Sequence, residues 1–196
     1  RFISSSLVYL VTLALGIFLA MILVTIVGEN PLHVLRILAM GSFGGPREIA
    51  YSLFYATPFI LTGLSVAWAF RAGLFNVGAE GQMLTGGVAV VALGILLPNL
   101  PTPIAIVSSF GVAFIAGGIW GAIAGWVKVK RGAHEVLVTI LLNFVAYGLS
   151  SFFILNVFRN PASQNPETFE IGSNYFLSQI TFFYPSSPLN QMIFVA

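Results

Sequence analysis

The sequence has no cysteine, which excludes disulfides and thiolate metal sites and leaves the redox compartment unreadable. Charge is almost as scarce. Of 196 residues, 7% are charged and 58% hydrophobic, and the mean hydropathy is +0.97. A soluble domain carries about 25% charged residues. A chain this poor in charge cannot dress a water-facing surface, so it reads as a polytopic membrane protein with the lipid bilayer as its solvent. The formal net charge is only +2, and nucleic-acid binding needs basic residues clustered on one face, so no nucleic acid is expected. Two histidines, His33 and His134, stand alone with no second ligand at metal spacing, and no metal site is expected. There is no G-x-x-x-x-G-K-[ST] phosphate loop, H-E-x-x-H or G-x-S-x-G, so the chain is read as no enzyme. It starts at Arg1 and stops at Phe194-Val195-Ala196, inside a fresh apolar run, and is read as a piece of a longer protein.

The expected fold is all-α: about five complete transmembrane helices and the start of a sixth near Asn190, forming one truncated membrane domain over residues 1–196. The spans are placed at residues 7–28, 51–70, 80–97, 104–127 and 134–158, with an external loop at 159–189. Each approaches or exceeds the roughly 20 residues that cross a bilayer core. The first is too long for a signal-peptide core and lacks a small-residue cleavage site, so it is retained. Asn30-Pro31 reads as an N-cap followed by a first-turn proline. From there Leu32, Leu35, Ile37, Leu38 and Met40 alternate with His33 and Arg36, the pattern of an interfacial amphipathic helix. Gly41, Gly44, Gly45 and Pro46 end it. Pro58 is expected to kink the second span. Lys128, Lys130, Arg131 and Gly132 read as a basic loop, and Tyr175, Phe176, Phe182, Phe183 and Tyr184 suggest that the long loop packs on the membrane surface.

The stretch between the second and third spans organises the rest. Phe70 to Gln82 holds Arg71, Asn76, Glu80, Gln82 and three glycines, Gly73, Gly78 and Gly81. Irregular backbone near membrane depth survives only where protein or a water-filled cavity covers it, and ionisable groups there are functional candidates. Phe75, Asn76, Glu80 and Gln82 are therefore candidate pathway residues. Each has a plainer role beside it. Asn76 fits a helix cap, Glu80 fits a first helical turn facing the dipole, and Arg71 fits an interfacial anchor or an ion pair with Glu80. The glycines permit tight turns and close packing.

A second pattern lies in the fifth span. Glu135, Thr139, Asn143 and Tyr147 are spaced four apart, so they drift only about 40° per step and share one side of a helix. Leu137, Ile140, Leu141, Phe144 and Val145 fill the opposite side. Thr139 and Asn143 join the candidate pathway, with helix-to-helix hydrogen bonding as the alternative; Glu135 also fits a cap. In the fourth span Gly117, Gly121 and Gly125 repeat at four-residue spacing and are read as a packing face. Lysine and arginine placement puts Arg1, Arg71, Lys128, Lys130 and Arg131 inside and Arg36, Arg47 and Arg159 outside, giving a multi-pass protein with a cytoplasmic N-terminus.

Three segments together resemble a known family: Ala56-Thr57-Pro58-Phe59-Ile60-Leu61-Thr62-Gly63-Leu64, the stretch Phe70 to Gln82, and Gly132-Ala133-His134-Glu135-Val136-Leu137-Val138-Thr139-Ile140-Leu141-Leu142-Asn143-Phe144. Their order and spacing are similar to permease subunits of bacterial ABC importers for nucleosides and simple sugars, kin to ribose and branched-chain amino-acid permeases. The resemblance implies a bacterial inner (plasma) membrane location. It implies a second permease subunit, as a homo- or heterodimer, and a cytoplasmic ABC ATPase that holds ATP and magnesium while this chain binds no cofactor. It also implies an extracytoplasmic substrate-binding protein, often a lipoprotein. The ATPase-docking loop is expected beyond residue 196. The alternative from the residues alone is an ion-coupled secondary transporter or channel working without an ATPase, since broken helices and an intramembrane glutamate occur there too.

Overall fold

The computed structural model describes residues 2–182 and 184–194, and side chains from Leu7 onward. Arg1, counted for orientation, Phe183 of the long loop, and Val195 and Ala196 of the expected sixth span lie outside the described residues. The described chain is helical. In order it forms α1 (Phe2–Ile26), α2 (Pro31–Phe43), α3 (Pro46–Arg71), α4 (Ala79–Leu96), α5 (Thr102–Arg131) and α6 (Glu135–Phe152), which runs on as a π-helical turn, Phe153–Val157. Short 3₁₀ turns follow at Ser173–Tyr175 and Gln191–Phe194. Among the described residues five helical segments are long and apolar enough to cross a membrane: Leu7–Ile26, Pro46–Arg71, Ala79–Leu96, Thr102–Arg131 and Glu135–Val157. The polytopic all-α reading holds, and α2 is the shorter apolar helix beside them.

The chain divides into two compact units, residues 1–55 with 179–189, and residues 56–178 with 190–196. In the first, α1 is apolar around its whole circumference and almost entirely exposed from Leu7 on, as befits a helix whose solvent is lipid. The α2 start follows the sequence: Asn30 Oδ1 accepts from the N–H of Leu32 at 3.0 Å and of His33 at 3.3 Å, with Pro31 at the first helical position. Gly44 closes α2, and Ser52 Oγ donates to the Ser42 carbonyl at 2.9 Å, which ties α3 back to it. The expected second span begins earlier than residue 51, because Pro46 suits a first turn and Arg47 lies 5.8 Å from the centre of the Tyr51 ring.

The second unit is a bundle centred on α4, α5 and α6. Apart from Tyr175, its buried residues are small or polar: Ala105, Ala124, Ala146, Thr57, Thr139, Asn143 and Ser150 among them. Gly81, Gly86 and Gly94 are buried along α4. Small residues let helix backbones approach closely, which is how bundles pack in lipid without a hydrophobic drive between helices. Pairing along the chain fixes the directions. Gly78 meets Thr139 and Gly81 meets Asn143, so α4 and α6 run parallel; Gly86 meets Ala113 and Gln82 meets Gly117 and Gly121, so α5 runs against them. Pro58 lies inside a continuous α3. The Thr62 hydroxyl donates to the Pro58 carbonyl at 2.9 Å one turn later.

Two readings change. Lys128, Lys130 and Arg131 form no loop: they are the last turn of α5, where cations suit the helix dipole, and Gly132 ends it at φ 65°. In the long loop, Tyr175, read as a surface-packing aromatic, instead turns into the protein. Asn174 Nδ2 donates to the carbonyls of Pro98 and Leu100 at 3.3 and 2.7 Å, and the Tyr175 hydroxyl donates to Leu97 at 2.6 Å. Tyr175 is buried, and Ile171 sits against Gly94. The loop is thus strapped to the turn joining α4 and α5.

Candidate functional site

The break between α3 and α4 is a built structure. Gly73 turns the chain at φ 73°, and Leu74 N–H bonds back to the Ala69 carbonyl at 2.9 Å and Gly73 N–H to Phe70 at 3.0 Å. These bonds close off carbonyls that a helix end would leave bare. Phe70 and Phe75 then meet edge to face, centroids 4.7 Å apart. Asn76 Oδ1 accepts from Gly78 N–H at 2.8 Å. It sets the turn before α4 without occupying the cap position, which Gly78 takes with no side chain to offer.

The cap comes from elsewhere. Asn143, buried on α6, accepts from Gly81 N–H at 2.9 Å through Oδ1 and donates to the Val77 carbonyl at 3.0 Å through Nδ2. Gly81 is the third residue of α4, one of the N–H groups that no helical carbonyl reaches. One side-chain amide thus satisfies a helix start and the preceding loop together. This close approach requires glycine: a Cβ at position 81 would stand 2.8 Å from Asn143 Oδ1 and 3.0 Å from Trp120 Nε1. Thr139 packs on Gly78, 3.2 Å from where its Cβ would be.

The other candidates divide between two cavities. A volume of about 170 Å³ is lined by Phe75, Asn76, Gln82, Gly125, Lys128 and Thr139, among others. Lys128 Nζ and Glu135 Oε1 both border it and pair at 3.0 Å. A larger volume of about 570 Å³ is walled by Pro58, Phe59, Thr62, Asn76, Glu80 and neighbours. Asn76 borders both. The sequence-derived candidates therefore converge, with one difference in kind. Phe75, Asn76, Glu80, Gln82 and Thr139 border open space, whereas both ends of the Asn143 amide are spent on backbone. The polar row of α6 does face protein, and Leu137, Ile140, Leu141, Phe144 and Val145 are exposed on the other side.

Arg71 is exposed in the last turn of α3 and forms no pair with Glu80; Glu80 instead accepts from the Tyr147 hydroxyl. Among the described residues Lys128–Glu135 is the one ion pair. The glycine repeat of α5 is also uneven. A Cβ at Gly121 would stand 2.5 Å from Gln82 Nε2 and one at Gly117 3.1 Å from the Gln82 carbonyl, whereas at Gly125 nothing lies within 4 Å. Two glycines receive α4, and the third borders the smaller cavity. Sequence reasoning passed over Trp120, whose indole N–H is buried without a hydrogen-bond partner beside Gly81, and Ser150, buried with its hydroxyl unpartnered. Ser150 was within reach, since it lies seven residues past Asn143 on the same helix face.

Comparison with known proteins adds the following. Residues 48–196 match the family described as branched-chain amino acid transport system / permease component. The guanosine ABC transporter permease protein of Bacillus subtilis is 35% identical over 184 residues, covering 91% of this chain and 52% of that protein. The nucleoside ABC transporter permease protein of Lactococcus lactis subsp. cremoris is 32% identical over 153 residues, 78% of this chain and 42% of its own length. A glucose ABC transporter permease protein of Haloferax volcanii is 34% identical over 113 residues, covering 58% of this chain and 30% of that protein. The chain thus spans about half the length or less of the curated relatives it matches. No solved structure matches it.

Proposed function

The chain belongs to the permease-component family of branched-chain amino acid transport systems, and from that premise we propose that it is part of a permease subunit of an ATP-driven importer for nucleosides or simple sugars. The observation that carries this is the break at residues 74–78: a non-helical segment between two membrane-length helices, whose one polar side chain, Asn76, borders two cavities. Non-helical backbone between membrane spans is tolerated where protein covers it or where it lines a water-filled route. The names of the relatives, nucleoside and glucose permeases, support the substrate class.

In this reading Phe75, Asn76, Glu80, Gln82 and Thr139 contact the solute, and Asn143 holds the break in shape for them. Arg71, Gly73, Gly78, Gly81, Gly117 and Gly121 are structural, and residues 1–196 belong to one permease domain. The full assembly holds a second permease subunit, a cytoplasmic ATPase carrying ATP and magnesium, and an extracytoplasmic binding protein. It sits in the bacterial inner membrane with the N-terminus of this chain in the cytoplasm. ATPase closure drives alternating access, and hydrolysis belongs to that partner.

The test is uptake of labelled guanosine and glucose by the full-length permease reconstituted in proteoliposomes with its partner permease subunit, ATPase and binding protein. Uptake that requires ATP and is unmoved by an ion gradient is expected, with Asn76→Ala raising the KM. ATP-independent uptake driven by an ion gradient would refute the reading.

A further inference from the structure

The cavities at the break are not the only ones in the bundle. Where the C-terminal end of α6 passes the middle of α4, two cavities of about 390 and 240 Å³ share the walls Val88, Ser150, Phe153 and Phe158, and Met83 separates the larger of them from the 570 Å³ cavity at the break. Here α6 gives way to the π-helical turn Phe153–Val157, an irregularity frequent at functional sites. Its backbone shows the change: Phe153 N–H is shared between the carbonyls of Leu149 and Ser150, and Phe158 N–H reaches back five residues to Phe153 at 2.8 Å. The extra residue per turn brings the Phe153 and Phe158 rings into a stack, with centroids 5.9 Å apart and planes 18° from parallel.

The second observation is Ser150. It is 6% exposed, and its hydroxyl has no hydrogen-bond partner. A helical serine ordinarily returns its hydroxyl to a carbonyl one turn back, as Ser108 and Ser109 do in α5. A buried hydroxyl left unmade costs free energy unless something else meets it. Ser150 instead borders both cavities. Glu167 and Thr168 of the strapped loop line the larger one, adding a carboxylate and a second hydroxyl beyond the apolar walls.

We infer that this pair of cavities is a binding site for a flat heteroaromatic ring, a nucleobase, distinct from the route at the break. The stacked phenyl rings supply an aromatic face on which a planar ring packs. The Ser150 hydroxyl pairs with a polar edge of that ring, and Glu167 accepts from an exocyclic amine or a sugar hydroxyl at the mouth. A bare sugar has no aromatic face to offer and gains little from these walls. The nucleobase identity rests on the proposed nucleoside-permease reading; the site itself does not. With the break end cytoplasmic, this site lies further along the same two helices, outward of the break.

The 196-residue chain contains no cysteine, which allows a direct test. Ser150→Cys is made in the full-length permease, any cysteine elsewhere replaced, and labelled in native membranes by a small methanethiosulfonate. Saturating guanosine is expected to slow labelling at least fivefold and ribose to leave it unchanged. Ser150→Ala, removing a hydroxyl that serves no partner inside the protein, is expected to keep the unfolding temperature at or above wild type while weakening guanosine uptake about tenfold in KM. Equal protection by ribose, no protection by guanosine in a transport-competent variant, or an unchanged KM in Ser150→Ala would overturn the site. Protection by guanosine in membranes that show no ATP-dependent uptake would instead leave the site standing and remove the importer reading.

Discussion

Asn143→Leu tests the physical core of the break most directly. Leucine shares the branched shape of asparagine and is at home in a membrane helix, but its methyl groups cannot approach backbone to hydrogen-bond distance, so the change also presses the neighbouring backbone apart. It removes both partners of the amide at once: Gly81 N–H, held at 2.9 Å, and the Val77 carbonyl, held at 3.0 Å. Neither is easily replaced, because Gly81 lies in the first turn of α4, whose own backbone cannot serve it, and the cap residue Gly78 has no side chain. The buried Gly81 N–H left bare costs about 1–3 kcal/mol, and the part-buried Val77 carbonyl, which water can reach, adds less. For a domain of this size each kcal/mol lowers the unfolding midpoint by about 2–4 °C, so a fall of at least about 2 °C is expected, measured on full-length protein in nanodiscs by thermal unfolding. Asn143→Asp keeps an acceptor toward a helix start, where negative charge is favoured, but loses the donor to Val77, and should fall between Leu and wild type. Gly81→Ala attacks the same contact from the other side, so its combination with Asn143→Leu should destabilise by less than the sum of the two. A midpoint for Asn143→Leu within about 1 °C of wild type, less than about half a kcal/mol for a domain of this size, or strict additivity with Gly81→Ala, would refute the capping argument.

Further outcomes follow from single contacts. Gly121→Ala places a methyl 2.5 Å from Gln82 Nε2 and should destabilise or displace that side chain, whereas Gly125→Ala meets nothing within 4 Å and should be neutral or stabilising by up to about 1 kcal/mol from helix propensity; thermal unfolding of the two variants separates them. Tyr175→Phe removes the 2.6 Å bond to the Leu97 carbonyl and should cost about 1 kcal/mol, with faster hydrogen exchange confined to the strapped loop and the α4–α5 turn. Lys128→Ala breaks a pair at 3.0 Å that is 34% and 21% exposed, so its effect on stability should stay within about 1 kcal/mol and shrink as salt is added.

The helices were legible because their determinants are local. Each membrane-length run carries its own hydropathy, and Asn30-Pro31 caps α2 with residues two and three positions away. Helix ends were less so, since Lys128 to Arg131 are polar enough to resemble a loop yet favourable as the last turn before Gly132. The polar row of α6 could be seen from its period, and its side of the bundle followed, but not its duties. Asn143 resembled a pathway residue until its partners were known, and those lie 62 and 66 residues away in sequence. The same holds for Gly117, Gly121 and Gly125, identical in spacing and unlike in surroundings, since only the first two face Gln82. A regular spacing states which residues share a face; what stands opposite is decided by another helix. For this reason the residues that border open space, Asn76 above all, are better guides to a solute than the most deeply buried amide. Burial in lipid selects for saturated hydrogen bonds, and a saturated group has the least left to offer a passing ligand.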